Sequence, residues 1–301
     1  MARRQIRPSR QIKTGITQKR MYRKHFNLET RPFGLTPDAD FIFDHAGFRE
    51  ALNVLLVALD SGEGFIKITG EVGTGKTLLC RRLFDILASK WATAYVPNPL
   101  LAPLALYKVV AEELGADLAG MTDSHHALKS IARRLIGLGR RGRQVVLCID
   151  EAQAMPDRTL EALRLLSNLE TRKRKLLHIV LFGQPELDSR LAEHGLRQLR
   201  QRIAFSYRLP ALTRQEIAGY VGHRLRVSGC PRSDLFAPAA LKKLWIASRG
   251  VPRLVNVLAH KALMAAYGQG CDTVRARHMR SAVADTADSR RGWLWRPCWK
   301  C

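Results

Sequence analysis

The chain has 301 residues, of which 46% are hydrophobic, so it is long enough to bury one large core and a smaller second one. Its formal net charge of +24 attracts nucleic acid, anionic lipid or an acidic partner, and does not specify which. No run of 18 apolar residues appears, and the amino terminus lacks the apolar stretch of a signal peptide. We therefore expect a soluble, cytoplasmic protein with no transmembrane segment.

Residues 1–20 contain seven Lys or Arg and no acidic residue. With so little apolar content, this segment is predicted to be a basic disordered extension. It is either a phosphate-binding tail or an upstream extension ahead of an alternative start at Met21. Without it the net charge is 24 − 7 = +17, so the remainder of the chain is basic as well.

Short apolar strands alternate with helices through the next part of the chain. Residues 21–44 mix aromatic residues with two prolines and read as a lead-in that packs on the following domain. A helix around residues 50–58 precedes a strand, Phe65–Thr69, a glycine-rich segment and a helix, Lys76–Leu87. Further strands are predicted at 92–96, 145–149, 177–182 and 203–209. This alternation predicts an α/β fold, a three-layer αβα domain over residues 21–210 whose mainly parallel sheet is covered by helices.

The character of the sequence changes after Pro210. Four helices are predicted, at Arg214–Val227, Pro238–Ser248, 252–267 and 275–287, separated by Gly and Pro. We therefore predict a helical domain over 211–287 and a tail over 288–301. The six cysteines show no regular spacing, and Cys80 and Cys148 lie in apolar segments, so buried reduced thiols are expected.

One segment fits the phosphate-loop pattern G-x-x-x-x-G-K-[ST] in full: Gly70, Glu71, Val72, Gly73, Thr74, Gly75, Lys76 and Thr77. In such a loop the glycines let backbone N–H groups close around phosphate oxygens, the Lys reaches the β and γ phosphates, and the hydroxyl ligates Mg²⁺. The match lies between a predicted strand and a predicted helix, as phosphate binding requires. The sequence therefore predicts an ATP site, with a glycine-rich turn that binds nothing as the alternative.

A second motif is the apolar strand that ends in Asp150 and Glu151. Carboxylates in that position lie at the carboxyl edge of a parallel sheet, where the phosphate loop must also lie. Asp150 can hold Mg²⁺ through its water shell, and Glu151 can orient and polarise the attacking water as a general base. Acids that mark a strand end for solubility are the alternative interpretation, and the phosphate loop upstream favours catalysis.

Together these motifs resemble those of P-loop AAA+ ATPases with an ASCE-type catalytic glutamate and a C-terminal helical lid. Within that group the chain is similar to the general secretion pathway ATPases of the ExeA/GspA type, and in length it is nearest to the MshM-type ATPases of the MSHA pilus system. The resemblance covers residues 21–285 and is carried by MYRKHFNLETRPFGLTPDADFIF, GFIKITGEVGTGKTLLCR, VVLCIDEAQAM, ETRKRKLLHIVLFGQPELDSRL and LRQRIAFSYRLPAL.

The resemblance implies further site residues. Gln184 matches the polar sensor 1 residue that detects the γ-phosphate, with an ordinary strand-end amide as the alternative. Arg202 matches a position from which AAA+ proteins supply an arginine finger to a neighbouring subunit, and Arg200 is the second choice. In so basic a segment, a solvated or nucleic-acid-facing role is the alternative. Arg253, in the segment GVPR, matches sensor 2, which would reach the γ-phosphate from the lid.

The resemblance also implies a homo-oligomer with the ATP site at the subunit interface. ATP hydrolysis with Mg²⁺ would then drive assembly of a type IV-like (MSHA) pilus or a type II secretion apparatus, with the protein cytoplasmic or peripheral at the bacterial inner membrane. The main alternative is a DNA-binding ATPase of the transposition-helper type, which the net charge would suit. A nucleotide-binding scaffold that hardly hydrolyses ATP is a third. The segments PFGLTPD and GQPEL favour the secretion branch.

The end of the chain departs from this pattern. ExeA-type proteins continue into a membrane span and a peptidoglycan-binding module, so the resemblance carries over no cell-wall function. Residues 292–301 contain three tryptophans and the pair Cys298-x-x-Cys301, and this ending has no recognised counterpart in the family pattern. We expect a frayed tail. Half of a zinc or redox site, and a contact with a membrane or partner, are the alternatives.

Overall fold

The computed structural model of the chain describes residues 22–36, 38–170, 175–232 and 234–290. It divides into two compact units, one within residues 37–211 and one formed by residues up to 36 together with those from 212 onward. Within the described ranges, no helix is long and apolar enough to cross a membrane. The basic extension predicted at 1–20 lies outside the described residues, as do the tryptophans and Cys298 and Cys301 of the predicted tail.

The described part of the sheet unit contains five strands, β1 Phe65–Thr69, β2 Trp91–Val96, β3 Gln144–Ile149, β4 His178–Gly183 and β5 Ile203–Arg208. They are parallel and lie in the order β2-β3-β4-β1-β5. The predicted α/β fold with a parallel sheet is confirmed. Because β3, β4 and β1 are parallel and adjacent in that order, their carboxyl ends are neighbours at one edge of the sheet.

Seven helices accompany these strands in the described part of this unit: α1 Ala46–Asp60, α2 Lys76–Leu87, α3 Pro103–Glu113, α4 Ser124–Arg140, α5 Asp157–Leu166, α6 Glu186–Leu191 and α7 Arg197–Arg202. Their buried residues recur at helical spacing. In α4, for example, Ala127, Ile131, Leu135 and Leu138 are buried, and the Asp123 side chain caps the amino terminus by accepting from the N–H groups of two histidines.

Side-chain alternation along β3 explains the three layers. Val145, Leu147 and Ile149 are completely or almost completely buried in a core formed with α3, α4 and α5. Val146 and Cys148 are buried in a second core, formed with α1 and α2. Successive strand residues point to opposite faces, so a strand that is apolar throughout requires helices on both sides. Cys80 and Cys148 are both free and buried.

The helical unit contains α8 Arg214–Val227, α9 Pro238–Ser248, α10 Pro252–Gly268, α11 Ala276–Ala284 and α12 Ala287–Arg290. Residues 22–36 belong to this unit, which differs from the expectation that the lead-in starts the sheet domain. Arg224 of α8 is buried, and its guanidinium donates to the carbonyls of Pro32 and Gly34. Phe33 packs edge-on against Phe236. A buried guanidinium needs such acceptors, and the lead-in supplies them.

A close backbone approach in the helical unit depends on Gly250. Its φ is +76°, and a Cβ placed there would lie 2.0 Å from the carbonyl oxygen of Leu212. The Leu212 N–H donates to the Gly250 carbonyl over 2.9 Å, which holds the two backbones together. Only glycine satisfies both the left-handed conformation and this distance.

We predict that Gly250→Ala lowers the free energy of unfolding by more than about 2 kcal/mol, because the substitution adds left-handed strain to a backbone clash. The control is Gly268→Ala in α10, where a Cβ would meet nothing within 4 Å. That change should be neutral or stabilising by up to about 1 kcal/mol. Urea unfolding followed by circular dichroism measures both, and equal stability of the two variants would contradict the prediction.

Candidate functional site

Apart from Arg202, the predicted site residues that lie in the sheet unit converge at the carboxyl ends of three adjacent strands. Gly70 follows β1, Asp150 follows β3 and Gln184 follows β4. The Gly70 N–H donates to the carbonyl of Gly183 over 3.1 Å, which joins the start of the phosphate loop to the end of β4. Ligands of open parallel sheets bind at this edge.

The loop conformation depends on its glycines. Gly73 and Gly75 have φ values of +83° and +106°. A Cβ on Gly70 would lie 2.9 Å from the Thr74 hydroxyl and 3.1 Å from the carbonyl of Leu209. Gly75 is the N-cap of α2, and no described side chain caps that end. The first N–H groups of α2 are therefore available to an anion, which the helix dipole also favours.

Lys76 is held inside the loop that precedes it. Its ammonium donates to the carbonyls of Gly70, over 2.7 Å, and Glu71, over 3.1 Å. The residue is only 5% exposed. Burial lowers the pKa of Lys76, and the carboxylates of Glu151 and Asp150 act in the opposite direction. The loop thus positions a buried cation beside its own backbone.

Thr77 and Asp150 bring two oxygen ligands together. The Thr77 hydroxyl donates to Asp150 Oδ2 over 2.6 Å, and the Tyr95 hydroxyl donates to the same oxygen over 3.2 Å. Burial, followed by the charge of Asp150, raises the pKa of Tyr95, so its hydroxyl stays protonated and donates. A hydroxyl and a carboxylate at the start of a phosphate-binding helix form a donor set that Mg²⁺ prefers. These residues therefore fit an Mg²⁺ nucleotide.

Glu151 occupies a strained position next to that pair. Its φ is +51°, which is rare for a residue with a side chain, and its N–H donates to Asp150 Oδ1 over 2.9 Å. Burial raises the pKa of Glu151, but hydrogen bonds from Gln153 and Gln184, with the charge of Lys76, outweigh it and leave the pKa below its usual value. Glu151 is therefore a carboxylate at neutral pH, as a general base must be.

Gln184 contacts Glu151 directly, since its side-chain amide donates to Glu151 Oε2 over 3.1 Å. The same oxygen accepts from the Gln153 amide over 2.5 Å. Sequence reasoning missed both Gln153 and Tyr95. The DEAQ segment is a signal that could have suggested Gln153, whereas Tyr95 stands beside Cys148 only through the register of β2 and β3.

Among the remaining loop residues, Thr74 is buried and its hydroxyl donates to the carbonyl of Glu71, whereas Glu71 and Val72 are more peripheral. Glu71 is exposed and its carboxylate lies 3.5 Å from the guanidinium of Arg208. Val72 is 50% exposed. Of the predicted site residues, the structure thus brings Lys76, Thr77 and the two acids together with Gln184.

The two predicted arginines lie elsewhere. Arg202 ends α7 immediately before β5, so it stands at the amino edge of the sheet, and the phosphate loop stands at the carboxyl edge. One strand length of about 15–20 Å separates these edges. Arg202 is exposed and donates to the Ser167 hydroxyl over 3.0 Å; Arg200 is exposed as well. Arg253 is the second residue of α10 in the helical unit and is also exposed.

Comparison with known proteins agrees with this geometry. Residues 59–191 match the family described as an AAA domain. The chain is 36% identical over 275 residues to the general secretion pathway protein A of Aeromonas hydrophila, a match that covers 91% of this chain and 50% of that protein. The chain therefore spans about half the length of this curated relative.

Solved structures show the same fold at low sequence identity. The ORC2 protein of Aeropyrum pernix, in ADPNP–ADP complexes, is 21% identical with a TM-score of 0.60, and the match covers 83% of this chain and 72% of that one. Cdc6p of Pyrobaculum aerophilum is 16% identical with a TM-score of 0.63, covering 83% and 71%. These structures show the fold alone. The AAA domain match and the phosphate loop identify the chain as an AAA-type P-loop ATPase, one that is similar to general secretion pathway protein A.

Proposed function

We propose that this protein binds ATP with Mg²⁺ at the carboxyl edge of its sheet and hydrolyses it to drive assembly of a secretion apparatus or a type IV-like (MSHA) pilus. The observation that carries the ATPase proposal is the convergence of Lys76, Thr77, Asp150 and Glu151 on the ends of adjacent strands. The ADPNP–ADP complexes of ORC2 support nucleotide binding by this fold.

Binding would begin with the phosphates at the amino terminus of α2. The N–H groups of residues 73–77 close around the phosphate oxygens, and Lys76 contacts the β and γ phosphates. In the structure its ammonium is already held by two backbone carbonyls. Little side-chain entropy is then lost when phosphate binds, since the cation is ordered beforehand.

Thr77 and Asp150 would hold Mg²⁺, Thr77 by its hydroxyl and Asp150 through the water shell. When bound, the ion neutralises charge on the β and γ phosphates. The hydroxyl of Tyr95 helps to orient Asp150, since it donates to the same oxygen, Oδ2, as the hydroxyl of Thr77. This chain's contribution is therefore to fix one carboxylate and one hydroxyl in place before the metal nucleotide arrives.

Glu151 would act as the general base. Its pKa lies below the usual value, so the carboxylate can orient a water and accept its proton as the oxygen attacks the γ-phosphorus. Gln184, whose amide already contacts this carboxylate, would serve as sensor 1. We propose that the γ-phosphate and Glu151 share this amide as a common partner.

We further propose that the protein works as a homo-oligomer. Arg202 lies at the opposite edge of the sheet from the phosphate loop, so it could stabilise transition-state charge only in the site of a neighbouring subunit. Arg253, on α10 of the helical unit, would act as sensor 2, and that unit would serve as the lid of the ATPase. Loss of the γ-phosphate would change the contacts of both arginines.

The cellular role follows from the relative rather than from the site. The match to general secretion pathway protein A supports a function in secretion. We propose that the partners are secretion or pilus assembly proteins at the bacterial inner membrane. The chain spans half of that relative, so the proposed partners of this protein rest on a partial match, whereas the proposed ATPase chemistry rests on the residues of the site.

We predict that Glu151→Gln lowers the turnover number for ATP by at least about 100-fold, the usual contribution of a general base, and leaves ATP affinity within about twofold. Addition of EDTA should abolish turnover by the unaltered protein, and excess Mg²⁺ should restore it. Phosphate release and titration of a fluorescent ATP analogue measure the two quantities. Unchanged turnover in the variant would exclude Glu151 as the base.

A specific surface favours a second candidate function, that of a DNA-binding ATPase. Residues 124–143, which include α4, contain six Lys or Arg and no acid. On the outer face of α4, Lys129, Arg133 and Arg140 are exposed at helical spacing. The apolar face is buried in the core, so the helix cannot insert into a lipid surface. Arginine forks on a convex helix suit the phosphates of duplex DNA.

We predict that Lys129→Glu/Arg133→Glu weakens duplex DNA binding and lowers the slope of log affinity against log salt by about 2, because each lost phosphate contact removes about 0.9. The control, Lys242→Glu/Lys243→Glu, changes the net charge equally at two exposed positions of α9. Fluorescence anisotropy against salt concentration measures both. If the two pairs weaken binding equally, only net charge matters and α4 is not a DNA surface.

A further inference from the structure

We propose that Gln153 is a positioning residue, one that ties the Glu151 carboxylate to the end of β4 and so couples the catalytic base to Gln184. The inference rests on the proposed catalytic role of Glu151. It adds a residue whose side chain bridges Glu151 and Gln184. Among the described hydrogen bonds, none joins this side chain to the phosphate loop or to the hydroxyls of Thr77 and Tyr95.

Both ends of the Gln153 amide are used. Its nitrogen donates to Glu151 Oε2 over 2.5 Å, and its oxygen accepts the backbone N–H of Gln184 over 2.9 Å. A primary amide suits this position because it supplies one donor and one acceptor on the same planar group. A carboxylate could only accept, and would repel Glu151.

The bonds to Glu151 fall on one oxygen. Oε2 accepts hydrogen bonds from the side-chain amides of Gln153 and Gln184, whereas Oε1 accepts no hydrogen bond from the residues that the structure describes. Two donors on Oε2 fix the plane of the carboxylate and leave Oε1 to accept a proton from water. The orientation of the base therefore depends on both amides.

The backbone around Gln153 is anchored separately from its side chain. Gln153 lies in a 3₁₀ turn, Ala152–Ala154, and its carbonyl accepts from Arg190 over 2.6 Å. Arg190 also forms an ion pair with Asp157 of α5. Loss of the Gln153 amide would leave these contacts in place, so the turn should keep its position. The function of the amide can then be tested without unfolding the site.

The end of β4 is shaped to admit this amide. Gly183 precedes Gln184, and a Cβ there would lie 3.4 Å from Gln153 Oε1 and 2.7 Å from a methyl group of Leu187. A Cβ at residue 183 would clash with Leu187 and would already be in van der Waals contact with Gln153. Gln184 is thus joined to Glu151 twice, directly by its side chain and from its backbone N–H through Gln153, so a displacement of Gln184 would be transmitted to the carboxylate.

Two roles make different predictions for Gln153. If the Gln153 side chain only stabilises the contact between the turn and β4, its removal would lower the melting temperature and weaken ATP binding. A positioning residue would lower the turnover number alone, because the phosphate loop and the metal ligands stay intact. The split between turnover and affinity therefore separates the two.

The experiment compares Gln153→Ala, Gln153→Glu and the unaltered protein. We expect Gln153→Ala to lower kcat by about 10- to 100-fold, part of the full contribution of a general base, with KM and the Kd for a fluorescent ATP analogue within about twofold. Gln153→Glu should lower kcat further, because it removes the donor and adds repulsion. Gln144→Ala, an exposed glutamine at the other end of β3, should match the unaltered protein.

Each outcome decides the proposal. A kcat that is unchanged in Gln153→Ala, or a Kd that rises as much as kcat falls, overturns it. The variant Glu151→Gln separates this failure from failure of the proposed function. If Glu151→Gln is inactive and Gln153→Ala is fully active, only the positioning role fails. If Glu151→Gln keeps full turnover, the catalytic role of Glu151 fails and the coupling through Gln153 fails with it, whatever Gln153→Ala does.

Discussion

The parallel strand order β3-β4-β1 is the constraint on which the candidate site depends. Parallel neighbours bring their carboxyl ends to one edge, so the phosphate loop after β1, the acids after β3 and Gln184 after β4 must meet. Two short hydrogen bonds then lock the arrangement, one from Thr77 to Asp150 and one from Gln153 to Glu151. Thr77 and Asp150 are 73 residues apart in sequence, and Glu151 and Gln184 are 33 apart, so the site assembles only because the sheet brings these strands together.

Much of this arrangement could be predicted from the sequence. The strands are short apolar runs, and their predicted ends lie within one residue of the observed ones. The sequence predicts β3, β4 and the phosphate loop because polar residues follow the ends of apolar runs, and such runs are typical of buried parallel strands. Lys76 and Thr77 follow from a pattern whose glycines have a steric reason, which the left-handed Gly73 and Gly75 display.

The features that could not be predicted depend on contacts across the fold. Tyr95 reaches Asp150 only through the register of β2 on β3, which no local pattern encodes. The contact of Gln153 with Glu151 forms next to the left-handed backbone of Glu151, a conformation that the sequence does not predict. Proximity in sequence predicts that the lead-in belongs to the sheet domain. In the structure, a carbonyl of the lead-in accepts a hydrogen bond from the buried guanidinium of Arg224, almost 200 residues later. Such long-range polar pairing has no signal in hydrophobic periodicity.

Titration of a fluorescent ATP analogue against the unaltered protein, Lys76→Ala and Arg82→Ala tests the central claim most directly. Both substitutions remove a cation from α2, but Arg82 is exposed and Lys76 is buried in the loop. We predict that Lys76→Ala weakens binding by about 10- to 100-fold, since a hydrogen bond to a charged group contributes about 1.5–3 kcal/mol, and that Arg82→Ala has no effect. Equal affinity of all three proteins would show that the nucleotide does not bind at this loop.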